Sequence, residues 1–239
     1  MSDDLNTARQ TVADVAKALG RSGLVIHTSG NVSVRLEDGR IAITPNGVPY
    51  EQLELDDIAI VGTDGAQHFG SRPPSSETLL HLACYEARDE ERAIVHTHST
   101  FATILSTLVD EVPPIHYQMA DLGWPIVVGE YATFGSQQLA KHTVEALGDR
   151  NVALMKNHGM IALAAGADHA LRRATTAEWI CEVFYRARLL GRPSLIESDE
   201  LDIVLSKQRQ LAASRAEAGN SGDPERLGFA DNYSEKGRI

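Results

Sequence analysis

Ala93-Ile94-Val95-His96-Thr97-His98 is a short, β-branched apolar run that turns polar at its end. A run of this length and composition reads as a buried strand. Successive side chains of a strand point to opposite faces, so His96 and His98 lie on the same face. Two imidazoles side by side are half of a transition-metal site, and they are also compatible with core histidines satisfied by hydrogen bonds. A third imidazole comes from Asn157-His158-Gly159, which interrupts the apolar stretches Val152-Ala153-Leu154-Met155 and Met160-Ile161-Ala162-Leu163. A polar triplet in a buried run needs a reason, because unpaired buried polar groups are costly. Gly159 permits a bulge or a close backbone approach that aims His158 at a partner. Three neutral His ligands with one open position describe a catalytic zinc site better than a structural one. The remaining imidazoles, His27, His68, His81, His116, His142 and His169, stand in contexts that assign them to surface or core.

Outward from the strand, Pro73-Pro74 breaks the chain, and Ser75 or Ser76 is expected to cap a helix over 77–88 with Leu79, Leu80, Leu82 and Ala83 inward. Ser99 is placed to cap a helix over 100–108, and Pro113-Pro114 ends that region. A strand at Ile126-Val127-Val128, a helix over 137–147 closed by Gly148, one or two strands over 152–163 and a long helix over 168–190 follow. Towards the N-terminus, residues 5–20 carry helical apolar spacing at Val12, Val15, Ala16 and Leu19. Val32, Val34 and Leu36, then Asp38-Gly39, then Ile41 and Ile43 spell a β-hairpin. A strand over 58–61 has its return at 67–69. Hairpins first and mixed strands and helices afterwards predict an α/β fold: a single three-layer α/β/α domain over 1–205 with a mixed, mostly antiparallel central sheet. From 206 to 239 the composition turns polar, so a C-terminal arm, exposed or docked on a partner, is expected.

The chain has 239 residues, of which 43% are hydrophobic, enough for one large core. Its net charge of −11 argues against nucleic-acid or anionic-membrane partners. Backbone donors in a loop can still hold a small phosphate against that mean field. Cys84 and Cys181 lie in helix-like apolar segments and read as buried, reduced thiols. The acidic start, Met1-Ser2-Asp3-Asp4, has no apolar stretch after it, so a soluble cytoplasmic protein is expected.

Three loops carry small hydroxyl, amide and Gly residues: 28–31, 44–47 and Ser75-Ser76. Each alone is compatible with plain turn and capping chemistry. The third opens a helix, whose free N–H groups attract anions. Glu77 follows at once, either as a first-turn residue favouring the helix dipole or as a general base beside a metal. Arg35 lies near the first loop, and strand alternation leaves its direction open.

Thr28-Ser29-Gly30-Asn31-Val32-Ser33, Ile43-Thr44-Pro45-Asn46-Gly47, Ser75-Ser76-Glu77, His96-Thr97-His98-Ser99 and Asn157-His158-Gly159 together resemble, in order and spacing, the class II aldolase/adducin family over about residues 5 to 205. The resemblance implies a Zn²⁺, one per subunit and replaceable by other divalent metals, on His96, His98 and His158. It implies substrate phosphate on Asn31, Asn46, Gly47, Ser75 and Ser76, with Glu77 as the base. Asn46 stands where related aldolases often have Thr, which puts substrate length in question. Glu77, where related epimerases tend to carry Asp, favours an aldolase that reversibly cleaves a ketose 1-phosphate, foremost L-fuculose 1-phosphate, to dihydroxyacetone phosphate and an aldehyde. Tyr117 matches a family Tyr that donates a proton from a neighbouring subunit, which implies a homotetramer with shared sites. On the same resemblance Phe134 would line the aldehyde pocket, and Tyr233 would close a neighbour's site. The same scaffold serves 4-epimerases, a dehydratase and sugar-acid phosphate decarboxylases. The non-catalytic adducin head lacks the metal set that this chain carries. A zinc hydrolase would have no use for three anion-type loops.

Overall fold

The computed structural model describes residues 3–219. Nine strands form a continuous sheet: β1 (Asn31–Arg35), β2 (Ile41–Ile43), β3 (Ala59–Val61), β4 (Gln67–Phe69), β5 (Ala93–Thr97), β6 (Glu111–Val112), β7 (Ile126–Gly129), β8 (Val152–Met155) and β9 (Gly159–Ala164). Their spatial order is β4-β3-β2-β1-β5-β9-β8-β7-β6. The β7–β8 pair is parallel and every other neighbouring pair is antiparallel. The predicted hairpins are present, and β5 occupies the centre of the sheet.

Helices α1 (Asp3–Arg21), α3 (Thr100–Ser106) and α5 (Ala167–Leu190) cover one face, and α2 (Thr78–Ala87) and α4 (Gln137–Leu147) the other. The strand period divides the core. Ala93 and Val95 of β5 join the cluster under α1 and α5, while Ile94 joins Leu80, Cys84 and Leu139 on the opposite face. Burial on both faces explains why these strands read as unbroken apolar runs rather than alternating ones. Each buried Val, Ile or Leu side chain among these contributes about 1.5–3 kcal/mol on leaving water. The expected three-layer, mostly antiparallel α/β domain is therefore observed.

Several local expectations are corrected. Helix α2 begins at Thr78, with Glu77 rather than a serine at its N-cap. Ser75 instead accepts from the Glu77 backbone N–H (3.2 Å), and its carbonyl accepts from the Thr78 hydroxyl (2.7 Å). The inner face carries Leu80, His81, Cys84 and Tyr85, so Leu79 is 42% exposed and Leu82 and Ala83 are only half-buried. Ser99 takes the N-cap position of α3 without a side-chain cap. The free N–H groups of Phe101 and Ala102 donate to the Glu178 carboxylate of α5 (2.8 and 2.9 Å). A further helix, α6 (Ser198–Gly219), follows α5 and packs on the turn Tyr117–Asp121, with Leu201 fully buried. The position between 205 and 206 falls inside this helix. No described helix is long and apolar enough to cross a membrane.

Candidate active site

The site is built where β5 ends. His96 is fully buried, and its Nδ1 donates to the Met160 carbonyl across the β5–β9 pair (2.8 Å). The proton on Nδ1 leaves the His96 Nε2 lone pair facing the site. His98 lies just past the strand on the same face, its Nε2 3.0 Å from that of His96. His158 arrives on the β8–β9 hairpin. Asn157 takes φ +56° in the turn, a conformation that Asn tolerates better than most residues. A Cβ at residue 159 would collide with the Thr97 carbonyl, so only Gly lets this hairpin lie against β5. The three imidazole centroids are 4.7–5.0 Å apart. Glu77 completes the group, with Oε2 3.0 Å from His96 Nε2 and Oε1 3.3 Å from His158 Nε2. The four candidate ligand atoms lie within 4.8 Å of one another.

This donor set fits a divalent cation. Imidazole lone pairs converging on a carboxylate repel unless a positive charge lies among them. Glu77 Oε1 is buried and has no hydrogen-bond partner. Three imidazole nitrogens and a carboxylate are the ligands zinc takes. The charge states agree. Burial lowers His98 to about 3 and His158 to about 4, with repulsion from His96 adding to it, so both present lone pairs at neutral pH. Burial acts against His96 as well, but the Glu77 charge and hydrogen bond outweigh it and hold His96 above its ordinary value, which favours a proton on Nε2 that a divalent cation would displace. Burial would raise Glu77, yet His96, His158 and the Asn31 amide hold it well below the usual carboxylate range.

The predicted loops come together around this group. The Asn46 N–H donates to the Pro73 carbonyl and the Ser75 N–H to the Thr44 carbonyl, both at 3.0 Å, which fastens the second loop to the third. Gly30 takes φ +83°, and a Cβ there would strike the His96 carbonyl, so the first loop also lies against β5. The result is a cleft of about 330 Å³. Its walls include Asn46, Gly47, Ser75 and Ser76, its inner end Glu77, His98 and His158, and its rim Ile26 and Phe134. No Lys or Arg lines it among the described residues.

Other candidates lie differently. Asn31, expected at the phosphate, lines the cleft, and its amide donates to Glu77 Oε2 (2.9 Å). Arg35 turns away and donates to carbonyls at the C-terminal end of α2. Tyr117 is 51% exposed, does not line its own chain's cleft, and stacks on His116, which in turn meets Trp179. Phe134 lines the cleft and is 65% exposed. Tyr233 lies outside the described residues. Two residues were missed. His27 lines the cleft from a φ of +56°, an unusual backbone setting that no pattern announces. His81 stands one helical turn after Glu77, and that i,i+4 spacing could have found it.

Comparison with known proteins agrees with this geometry. Residues 10–185 match the Class II Aldolase and Adducin N-terminal domain. The chain is 35% identical over 204 residues to a 5-deoxy-D-ribulose 1-phosphate aldolase of Bacillus thuringiensis serovar kurstaki, covering 85% of this chain and 96% of that protein. It is 36% identical over 204 residues to the L-fuculose phosphate aldolase of Escherichia coli K12, covering 84% and 94%. A solved L-fuculose 1-phosphate aldolase superposes with a TM-score of 0.83 at 32% identity, over 87% of this chain and 98% of the other. A fold, a motif order and relatives that agree over nearly their whole length place this chain in the class II aldolase/adducin family, as one of its lyases.

Proposed function

We propose that this protein is a zinc-dependent aldolase that reversibly cleaves a ketose 1-phosphate to dihydroxyacetone phosphate and an aldehyde, with L-fuculose 1-phosphate as the leading substrate. The observation that carries this reading is the position of Glu77, His96, His98 and His158 at the inner end of a cleft walled by hydroxyl, amide and Gly loops. His96, His98 and His158, with Glu77 beside them, would hold one Zn²⁺ per subunit. A divalent cation there supplies Lewis-acid polarisation of the substrate carbonyl, worth several kcal/mol.

The chain's own groups do the rest. Asn46, Gly47, Ser75 and Ser76 hold the phosphate through hydroxyl, amide and backbone donors, while Asn31 serves Glu77. In the aldol direction ionised Glu77 removes a proton from the hydroxymethyl carbon of dihydroxyacetone phosphate. The electron pair left there forms the bond to the aldehyde carbon. The aldehyde oxygen takes a proton from Tyr117 of the partner subunit, and cleavage is the reverse. The exposure of Tyr117 outside its own cleft supports donation in trans, hence a homotetramer with sites at subunit interfaces. Two buried, unpaired thiols support a reducing compartment, the cytoplasm.

The deciding experiment is turnover of the zinc-loaded protein with the 1-phosphates of L-fuculose, L-rhamnulose, L-ribulose and 5-deoxy-D-ribulose, read as release of dihydroxyacetone phosphate. Fastest release from L-fuculose 1-phosphate is expected. The Bacillus relative favours 5-deoxy-D-ribulose 1-phosphate as the second reading, and preference for it would replace the first. No release from any of the four overturns the aldolase reading.

A further inference from the structure

Behind Glu77 lies a closed set of polar side chains. Asn31 and Ser33 share one face of β1, and Glu77, His81 and Tyr85 follow at i, i+4 and i+8 along the start and inner side of α2. The two rows meet. Asn31 Nδ2 is 2.9 Å from Glu77 Oε2, and Asn31 Oδ1 is 2.5 Å from His81 Nε2. His81 Nδ1 is 2.6 Å from Ser33 Oγ, which lies 2.8 Å from the Tyr85 hydroxyl. All five residues are buried.

The proton positions follow from one constraint. An ionised carboxylate only accepts, so Asn31 must turn its NH₂ to Glu77 and its carbonyl oxygen to His81. His81 must then carry its proton on Nε2 and accept at Nδ1 from the Ser33 hydroxyl. Burial, which lowers His81 to about 3, keeps the ring in that neutral form. The far end stops at Tyr85, whose single hydroxyl proton goes to Ser33 Oγ, while the Ser33 and Arg92 carbonyls, 3.1 and 3.4 Å from the phenol oxygen, have no proton to give. A chain of hydrogen bonds that ends on a buried hydroxyl flanked by carbonyls cannot carry a proton to solvent. It can hold an orientation. Glu77 Oε2 is anchored by it, while Oε1 has no hydrogen-bond partner and belongs to a residue that lines the cleft.

We propose that His81 is a positioning residue for Glu77: through Asn31, and itself oriented by Ser33 and Tyr85, it fixes which carboxylate oxygen is anchored and which stays open to cation and substrate. The proposal rests on the reading of Glu77 as the base at a metal centre. Groups that orient the ligands of a metal site affect affinity or activity about 10–100-fold.

The test is a cycle of His81→Leu, His81→Gln and Glu77→Gln. His81→Leu removes the donor to Asn31. It is expected to weaken zinc binding, measured by chelator competition without substrate, and to lower kcat, each by about 10–100-fold. KM stays near its wild-type value, because only the orientation of the base has changed. His81→Gln, which keeps an N–H donor on a side chain of similar reach, restores most of the loss. In the Glu77→Gln background, His81→Leu has no further effect on zinc affinity or kcat, because its effect passes through Glu77. An equal loss in both backgrounds, or no loss in either, overturns the proposal. If His81→Leu does not fold, Ser33→Ala takes its place under the same criteria. Wild-type protein that binds zinc but releases no dihydroxyacetone phosphate would refute the proposed function, and the zinc-affinity cycle would still decide the role of His81.

Discussion

The two sides of Glu77 are built on opposite plans. Behind it, Asn31, His81, Ser33 and Tyr85 are buried and bonded to one another, and their chain ends at the buried Tyr85 hydroxyl. In front, imidazole nitrogens crowd to 3.0 Å, and Oε1 is buried without a hydrogen-bond partner. A satisfied network holds a shape, whereas an unsatisfied one is stable only with something added. The reactive side of the carboxylate is therefore the one that carries Oε1.

The largest effect expected from the front side is that of His98→Ala. Zinc, about one per chain in the purified protein by elemental analysis, should be lost, and with it turnover by roughly 10³ or more, as several kcal/mol of Lewis-acid stabilisation disappears. Full zinc occupancy after alanine replacement of His96, His98 and His158 together would show that the cation lies elsewhere. The same variant probes the subunit boundary. Mixed and reassembled with Tyr117→Phe, inactive His98→Ala should regain activity, since some sites then join an intact metal centre to an intact tyrosine. Confirmed subunit exchange without recovery would reject donation in trans.

At the border between the two sides, Glu77→Gln should retain zinc on three histidines, at lower affinity, and lose about 10²–10⁴ in rate. Isotope exchange at the hydroxymethyl carbon of dihydroxyacetone phosphate, measured by NMR, should fall with it. Undiminished exchange would remove Glu77 from the chemistry.

A smaller effect separates the sides by pH in the metal-free protein. The folded-state values of His81, His98 and His158 are depressed, so the unfolded chain binds more protons below about 6.5. Glu77, also depressed, adds to this below about 4.5. Stability should therefore fall as pH drops from 6.5 towards 4. The raised His96 acts the other way, its contribution being present below 6.5 and lost as pH rises through its folded value. Each buried neutral imidazole contributes a slope of about 1.4 kcal/mol per pH unit in that window. His81→Gln should remove one such slope from guanidinium melts at pH 5 to 6, and an unchanged slope would mean that His81 is not held neutral. The smallest effect is that of Tyr85→Phe, which loses one hydroxyl at the closed end. About 1 kcal/mol of stability and only a few-fold change in turnover are expected, read by melts and steady-state rates.

What the sequence by itself determined follows from local periodicity. The two-residue repeat of β5 put His96 and His98 on one face, turn residues marked the hairpins, and Asn157-His158-Gly159 stood out as polar inside an apolar run. Backbone geometry makes such patterns readable wherever they occur. Tertiary structure decided what depends on distant contacts. Asn31 was assigned to phosphate, but its amide meets residues 46 and 50 positions away, Glu77 and His81. The cap of α3 comes from Glu178, 77 positions beyond Phe101. Leu79 is exposed and His81 buried, because Asn31 and Ser33 of β1 hold the face of α2 that carries Glu77, His81 and Tyr85. In each case several local partners were available to the same polar group. Only the packed sheet, bringing β1, β5 and α2 together, removed all but one.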